Sequence, residues 1–213
     1  MRYATDTEAK MMICEYGRRM YDKNLVVGTA GNISCRVGDN AVWATPTGVC
    51  KGCMTTEMLV KMDLEGNVLN RTDFRPSSES RMHLAVYREN SQVQGVVHGH
   101  PVFASGFAIV GKPLTTPLLI ESLLIGDQIP VAPFALPASA GLADTVIPFC
   151  KSYKGVLLAN HGALTWDNTL ENAFFMMEML ENYCQIITFA RLNGEPTPIA
   201  QEDVDRMKKA LGL

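Results

Sequence analysis

Apolar residues recur along this chain with two spacings, about 3.6 residues and two residues, and the switches between them lay out its elements. Residues 6–22 carry the helical spacing through Met12, Cys14, Tyr16 and Met20. Ahead of them, Thr5 and Glu8 form a capping-box pattern, in which a hydroxyl and a carboxylate satisfy the first-turn amides. Leu25-Val26-Val27 and the small residues of Gly28-Thr29-Ala30-Gly31 break the helix and suit close backbone approach. Residues 33–37 and 41–44 then read as a hairpin about Gly38-Asp39-Asn40. A helical turn at 55–58 and a second hairpin, 60–63 with 68–69, follow. Arg75-Pro76-Ser77-Ser78-Glu79 opens a helix to about Asn90, with Ser77 or Ser78 as its cap.

The second half alternates in the same way. A strand beginning near Gln94-Gly95 runs through Val96-Val97-His98-Gly99-His100 and is stopped by Pro101, which leads into a helix at 102–110. An apolar segment spans 118–125. Two prolines make 129–134 an edge strand. A short helix at 142–151 precedes a buried strand at 155–159 and its hairpin continuation at 163–166. Thr169 caps the longest helical pattern, to about Leu192, and 201–211 closes with an amphipathic helix. Strands joined mostly by hairpins, with helices between some of them, predict an α+β arrangement on a largely antiparallel or mixed sheet. No glycine-rich nucleotide fingerprint, internal repeat or linker interrupts the chain, so residues 1–213 read as one domain.

Composition narrows the function. The 213 residues are 47% apolar and 19% charged, with a formal net charge of −3. That charge gives no basic field for nucleic acid or an anionic membrane, and no apolar run reaches the length of a span. Asp6, Glu8, Lys10 and Glu15 occupy the place where a signal peptide needs an apolar core, so a cytoplasmic location is expected. Six cysteines are then expected as thiols, Cys14 and Cys184 on helical core positions. Cys50-Lys51-Gly52-Cys53 has no second C-x-x-C to complete a zinc site and no strand leading straight into a helix, and so reads as an ordinary turn.

The chemistry concentrates in the histidines. Period-two geometry puts His98 and His100 on one face of a strand end. His161 ends a second apolar run, Val156-Leu157-Leu158-Ala159-Asn160-His161-Gly162. Three imidazoles at two strand ends, with positions left open, make the donor set of a catalytic transition-metal site. Glu79 at the start of its helix is by position a metal ligand, a general base or a charge on the helix dipole. His83, one turn further along, reads as a buried or supporting histidine. The hydroxyls of Ser77 and Ser78 beside first-turn amides form an anion site.

Five motifs, Gly31-Asn32-Ile33-Ser34, Thr45-Pro46-Thr47-Gly48, Ser77-Ser78-Glu79, His98-Gly99-His100 and Asn160-His161-Gly162, stand in the order and spacing of the class II aldolase/adducin family. Over residues 6–198 the chain resembles that family, and within it the L-fuculose-phosphate aldolase group. The resemblance implies a three-layer α/β/α fold on a mainly antiparallel sheet and a C4 homotetramer with active sites at subunit interfaces. It implies one zinc ion per subunit, or another divalent transition metal, on His98, His100 and His161. Glu79 would be the acid/base, and a metal ligand when no substrate is bound. Asn32, Thr47, Gly48, Ser77 and Ser78 would hold the phosphate of a phosphorylated sugar. The activity implied is cleavage of a ketose 1-phosphate to dihydroxyacetone phosphate and an aldehyde. Phosphosugar 4-epimerase, 3-oxo acid phosphate decarboxylase and methylthioribulose-phosphate dehydratase are the alternatives in the same superfamily. Retention of all three histidines and Glu79 speaks against a non-catalytic adducin-like head. One position departs: the tyrosine of the fuculose-phosphate enzymes falls at Leu119, leaving Glu121 as the ionisable side chain at the aldehyde end.

Overall fold

The structure, a computed structural model, describes residues 2–126 and 128–212. Helix α1 (Asp6–Asp22) starts on the expected capping box: Thr5 Oγ1 accepts from Glu8 N at 3.2 Å, and Glu8 accepts from Thr5 N at 2.7 Å. Strands β1 (Asn32–Gly38) and β2 (Ala41–Ala44) form the first hairpin, and β3 (Val60–Met62) adds to it. Helix α2 (Ser80–Glu89), β4 (Gly95–Gly99) and α3 (Val102–Ile109) follow, then the short α4 (Glu121–Leu124) and β5 (Val131–Ala132). Helix α5 (Ala140–Val146), β6 (Gly155–Leu158), β7 (Gly162–Asp167), α6 (Leu170–Asn193) and α7 (Gln201–Leu211) complete the chain.

Seven strands among the described residues make one sheet in the order β3-β2-β1-β4-β7-β6-β5, antiparallel except for β5 on β6. Alternate strand residues enter two separate cores, as the pleat requires. Val97, Leu157 and Ala163 pack with α1, α3 and α6. Val96, Val156 and Leu164 pack with α2 and α5. The result is the expected three-layer α/β/α arrangement. Its centre is β4, which lies between β1 and β7 and is buried along its whole length.

Some expected boundaries move, each for a local reason. The second hairpin shortens to β3 with a single bridge, Met62 to Val68, because the Asp63 carboxylate gathers the amides of Glu65 and Asn67 into a tight turn. The edge strand keeps only Val131–Ala132, bracketed by Pro130 and Pro133, which lack the N–H a ladder needs. The helix at 142–151 ends as a 3₁₀ turn, Ile147–Phe149, at Pro148. Helix α2 starts later than expected. Pro76 bridges Pro46, and Ser77 N donates to Thr45 O at 3.3 Å, so this stretch is held extended beside the end of β2. Glu79 is the cap residue and makes no side-chain cap bond, while Ser77 Oγ accepts from Glu79 N at 3.3 Å just ahead of the helix. Among the described residues, no helix is long and apolar enough to cross a membrane.

Candidate active site

β4 delivers two histidines at its end. His98 is fully buried, and its Nδ1 lies 2.8 Å from Ala163 O on β7. A carbonyl can only accept, so that nitrogen carries the proton and Nε2 keeps its lone pair. His100 Nε2 sits 3.1 Å from this Nε2. The turn from β6 to β7 delivers the third ring. Asn160 takes a left-handed φ of 56°, which asparagine tolerates better than most residues, and His161 N closes the turn on Leu158 O at 3.0 Å. The turn and the strand end touch backbone to backbone. A Cβ on Gly162 would lie 2.4 Å from Gly99 O and 2.8 Å from His100 Cδ2, so only glycine fits there. The three ring centroids end 4.8–5.0 Å apart, and one donor nitrogen from each lies within 4.8 Å of the others.

Glu79 faces this triangle from the α2 side. One carboxylate oxygen is 3.1 Å from His161 Nε2 and the other 3.4 Å from His98 Nε2. Asn32 Nδ2 donates to the latter oxygen at 2.7 Å and also lies 3.2 Å from Ser77 Oγ. The register explains the match. Asn32 pairs with His98 across β1 and β4, so both point to the α2 layer. Four residues of helix rise by about 6 Å, close to a two-residue strand step of about 6.6 Å. Thus Glu79 sits over Asn32 while His83, one turn on, sits over Ser34: His83 Nδ1 is 2.7 Å from Ser34 Oγ, which is 2.9 Å from Tyr87 Oη. His83 is therefore the buried supporting histidine that the sequence suggested.

Burial acts on His98 and His100, and polar neighbours act on the carboxyl beside them. Burial pushes His98 down to about 3, against the opposing pull of Glu79. His100 is lowered by burial and by neighbouring His161. Burial alone would raise the Glu79 carboxyl, but the His161 hydrogen bond, the two ring charges and Asn32 outweigh it and hold it well below the usual range. Deprotonated nitrogens converging beside a carboxylate are the form in which histidine and glutamate bind a divalent cation, so the residues fit a metal.

The expected phosphate residues lie along two adjoining loops. Thr47 N donates to Arg75 O at 3.0 Å, complementing the Ser77–Thr45 bond, so 45–48 and 75–78 run side by side. Thr47, Gly48 and Ser78 are exposed, Gly48 with φ 72° and open space where a side chain would be. A cavity of about 600 Å³ adjoins Ser77 and Ser78 but is lined further by Arg81, Leu84 and Asp144, not by the histidines. Glu121 is not drawn in. It is exposed on α4, and among the described residues no hydrogen bond or ion pair joins it to the cluster. Leu118 and Leu119 pack against the core, and only Ile120 turns outward, 56% exposed. Cys50 and Cys53, like the other four cysteines, are free thiols. Sequence reasoning missed Glu181, which accepts from the Phe103 and Ala104 amides of α3 at 2.8–3.0 Å and so anchors the chain just after His100. An acid in mid-helix carries no pattern that announces this.

Residues 11–188 match the Class II Aldolase and Adducin N-terminal domain, and the chain belongs to that family. It is 31% identical over 195 residues to the 3-oxo-tetronate 4-phosphate decarboxylase of Haemophilus influenzae, covering 90% of this chain and 91% of the relative. It is 32% identical over 171 residues to the L-fuculose phosphate aldolase of Methanococcus maripaludis, covering 79% of this chain and 90% of the relative. Among solved structures, an L-fuculose 1-phosphate aldolase superposes with a TM-score of 0.90 at 28% identity, over 99% of each chain.

Proposed function

We propose that this chain is a zinc-dependent aldolase that reversibly cleaves a ketose 1-phosphate to dihydroxyacetone phosphate and an aldehyde. The observation that carries the reading is the Glu79 carboxylate, fixed by Asn32 at 2.7 Å and set against His98 and His161 at 3.4 and 3.1 Å. His98, His100 and His161 would hold the metal, with Glu79 joining them when no substrate is bound. The metal supplies Lewis-acid polarisation of a substrate carbonyl. Glu79 moves a proton to and from the carbon beside that carbonyl, as a general acid/base. Asn32 orients the carboxylate and keeps it ionised. Asn32, Thr47, Gly48, Ser77 and Ser78 hold the phosphate, which fixes the position of the reacting carbons. One domain spans the chain, which works as a cytoplasmic homotetramer with sites at subunit interfaces.

A second reading is decarboxylation of a 3-oxo acid phosphate. Leu119 favours it, because hydrocarbon stands where the fuculose-phosphate enzymes place a proton donor for the aldehyde oxygen, and release of carbon dioxide needs no such donor. The decarboxylase similarity over 90% of the chain supports it too. The test is a panel of L-fuculose 1-phosphate, 5-deoxyribulose 1-phosphate, methylthioribulose 1-phosphate and a 3-oxo-tetronate 4-phosphate, with zinc and after chelation. Zinc-dependent release of dihydroxyacetone phosphate together with an aldehyde from a ketose 1-phosphate is expected. Release of dihydroxyacetone phosphate with carbon dioxide, from the 3-oxo acid alone, establishes the second reading. An isomerised or dehydrated product puts an epimerase or dehydratase in place of both.

A further inference from the structure

Lys51 is the only lysine buried among the described residues, 1% exposed, and the reading above gives it no part. It lies inside the C-x-x-C segment. There the chain makes a single 3₁₀ turn, Lys51–Cys53, seated closely on α1. A Cβ on Gly17 would lie 2.9 Å from Lys51 O, and one on Gly52 would lie 2.8 Å from the Tyr21 ring. This seating turns the lysine stem inward. Its Nζ donates to Thr29 O at 2.9 Å and to Val49 O at 2.6 Å.

Those two carbonyls belong to different loops. Thr29 lies in the glycine-rich segment that leads into Asn32. Val49 follows Thr47 and Gly48 directly. One ammonium therefore ties together the two stretches that carry three of the five phosphate residues. An ammonium has three N–H donors, and among the described residues only these two acceptors are found. Burial draws the Lys51 amine below the ordinary lysine range, while neighbouring Cys50 and Glu79 draw it back. A phosphate dianion entering next to Glu79 meets a like charge, and the hydroxyls and amides of the loops carry no net charge to offset it. Beside the metal and Arg81, which lines the adjoining cavity, Lys51 is a fixed cation behind the loops, and it is worth more there than at the surface because water does not screen it.

We propose that Lys51 is a positioning residue that ties the glycine-rich segment ahead of Asn32 to the loop carrying Thr47 and Gly48 and supplies positive charge behind them, selecting a phosphate monoester dianion as the group bound. This rests on the phosphate role given above to Asn32, Thr47, Gly48, Ser77 and Ser78. The test compares metal-loaded wild type with Lys51→Met, which keeps the stem, and Lys51→Gln, which keeps N–H donors without the charge. Calorimetry with inorganic phosphate is the primary readout. Both variants are expected to lose at least about tenfold in phosphate affinity, and the KM for a phosphorylated substrate should rise by more than kcat falls, with metal content unchanged. A lowered melting temperature with phosphate affinity within about twofold of wild type would leave Lys51 a purely structural residue and overturn the proposal. If wild type itself does not bind phosphate, the phosphate site falls first, and Lys51 with it. Should both variants fail to fold, the isotope-labelled Lys51 ammonium of wild type decides by NMR. A shift on saturating phosphate supports the proposal, and an unmoved resonance overturns it.

Discussion

Which nitrogen of each ring carries a proton, and which oxygen of Glu79 meets it, decides what the site does. His98 is fixed by Ala163 O, so its second nitrogen is committed to the cluster. Replacing Glu79 by Gln keeps the Asn32 side of the contact and removes the base. It should lower kcat by about 10²–10⁴-fold while phosphate still binds. Steady-state rates with phosphate binding measured alongside check this, and a wild-type rate would remove Glu79 from the chemistry. His83 carries a different consequence. Burial pushes it down from 6.5 to about 4 in the folded chain. The unfolded chain therefore takes up its proton first, so stability is full above about pH 6.5 and is lost as pH falls toward 4, by up to about 3 kcal/mol. Chemical denaturation of wild type and His83→Asn across that window should show the wild-type advantage shrinking with acid. A constant difference would mean that this ring does not drive the loss.

At the scale of elements, what was legible in the sequence was what is local. Thr5 with Glu8, and Thr169 ahead of α6, announce helix starts because cap and capped amide lie within one turn. The His-x-His spacing put two rings on one face for the same reason. The start of α2 is not legible in the sequence because Thr45 holds Ser77 and Pro46 bridges Pro76, both about thirty residues upstream, and no local pattern shows that. Lys51 was illegible because a lysine's charge marks it as exposed until tertiary acceptors are known. Glu121 was named by proximity in sequence to Leu119, and the short α4 turns it to solvent. The contact between β4 and the β6–β7 turn is the testable element. Gly162→Ala places a methyl against Gly99 O and the His100 ring, and relief must part the two histidine-bearing segments. Overpacking of this kind costs about 1–3 kcal/mol, so metal affinity should fall about tenfold or more in a competition titration with a chelating dye. Unchanged affinity would show that the site tolerates separation of its two halves.

Over the whole molecule, two cores flank the sheet, but large apolar side chains remain outside them. Val102 is 66% exposed and Leu192 78%, on helices α3 and α6, whose Phe103 and Phe189 rings meet at 6.0 Å. Uncovered hydrocarbon of this kind supports burial against other copies. Sedimentation should give four times the 23.4 kDa chain mass, and a stable monomer at micromolar concentration would exclude the tetramer. The strand order has one more consequence, and it concerns time. β1 pairs with β4, and β4 with β7, so Asn32, Glu79, His98 and His161 meet only when segments far apart in the chain have closed on one another. Such closures are slow steps, because the entropy of the intervening loops is lost before their contacts form. Trp166, buried on β7 opposite Val96 of β4, reports the closure of β7 on β4. In stopped-flow refolding, capture of the metal should therefore keep pace with the slow burial of Trp166 and trail the early helix signal. Capture that runs ahead of the tryptophan would mean that the histidines assemble before the sheet does.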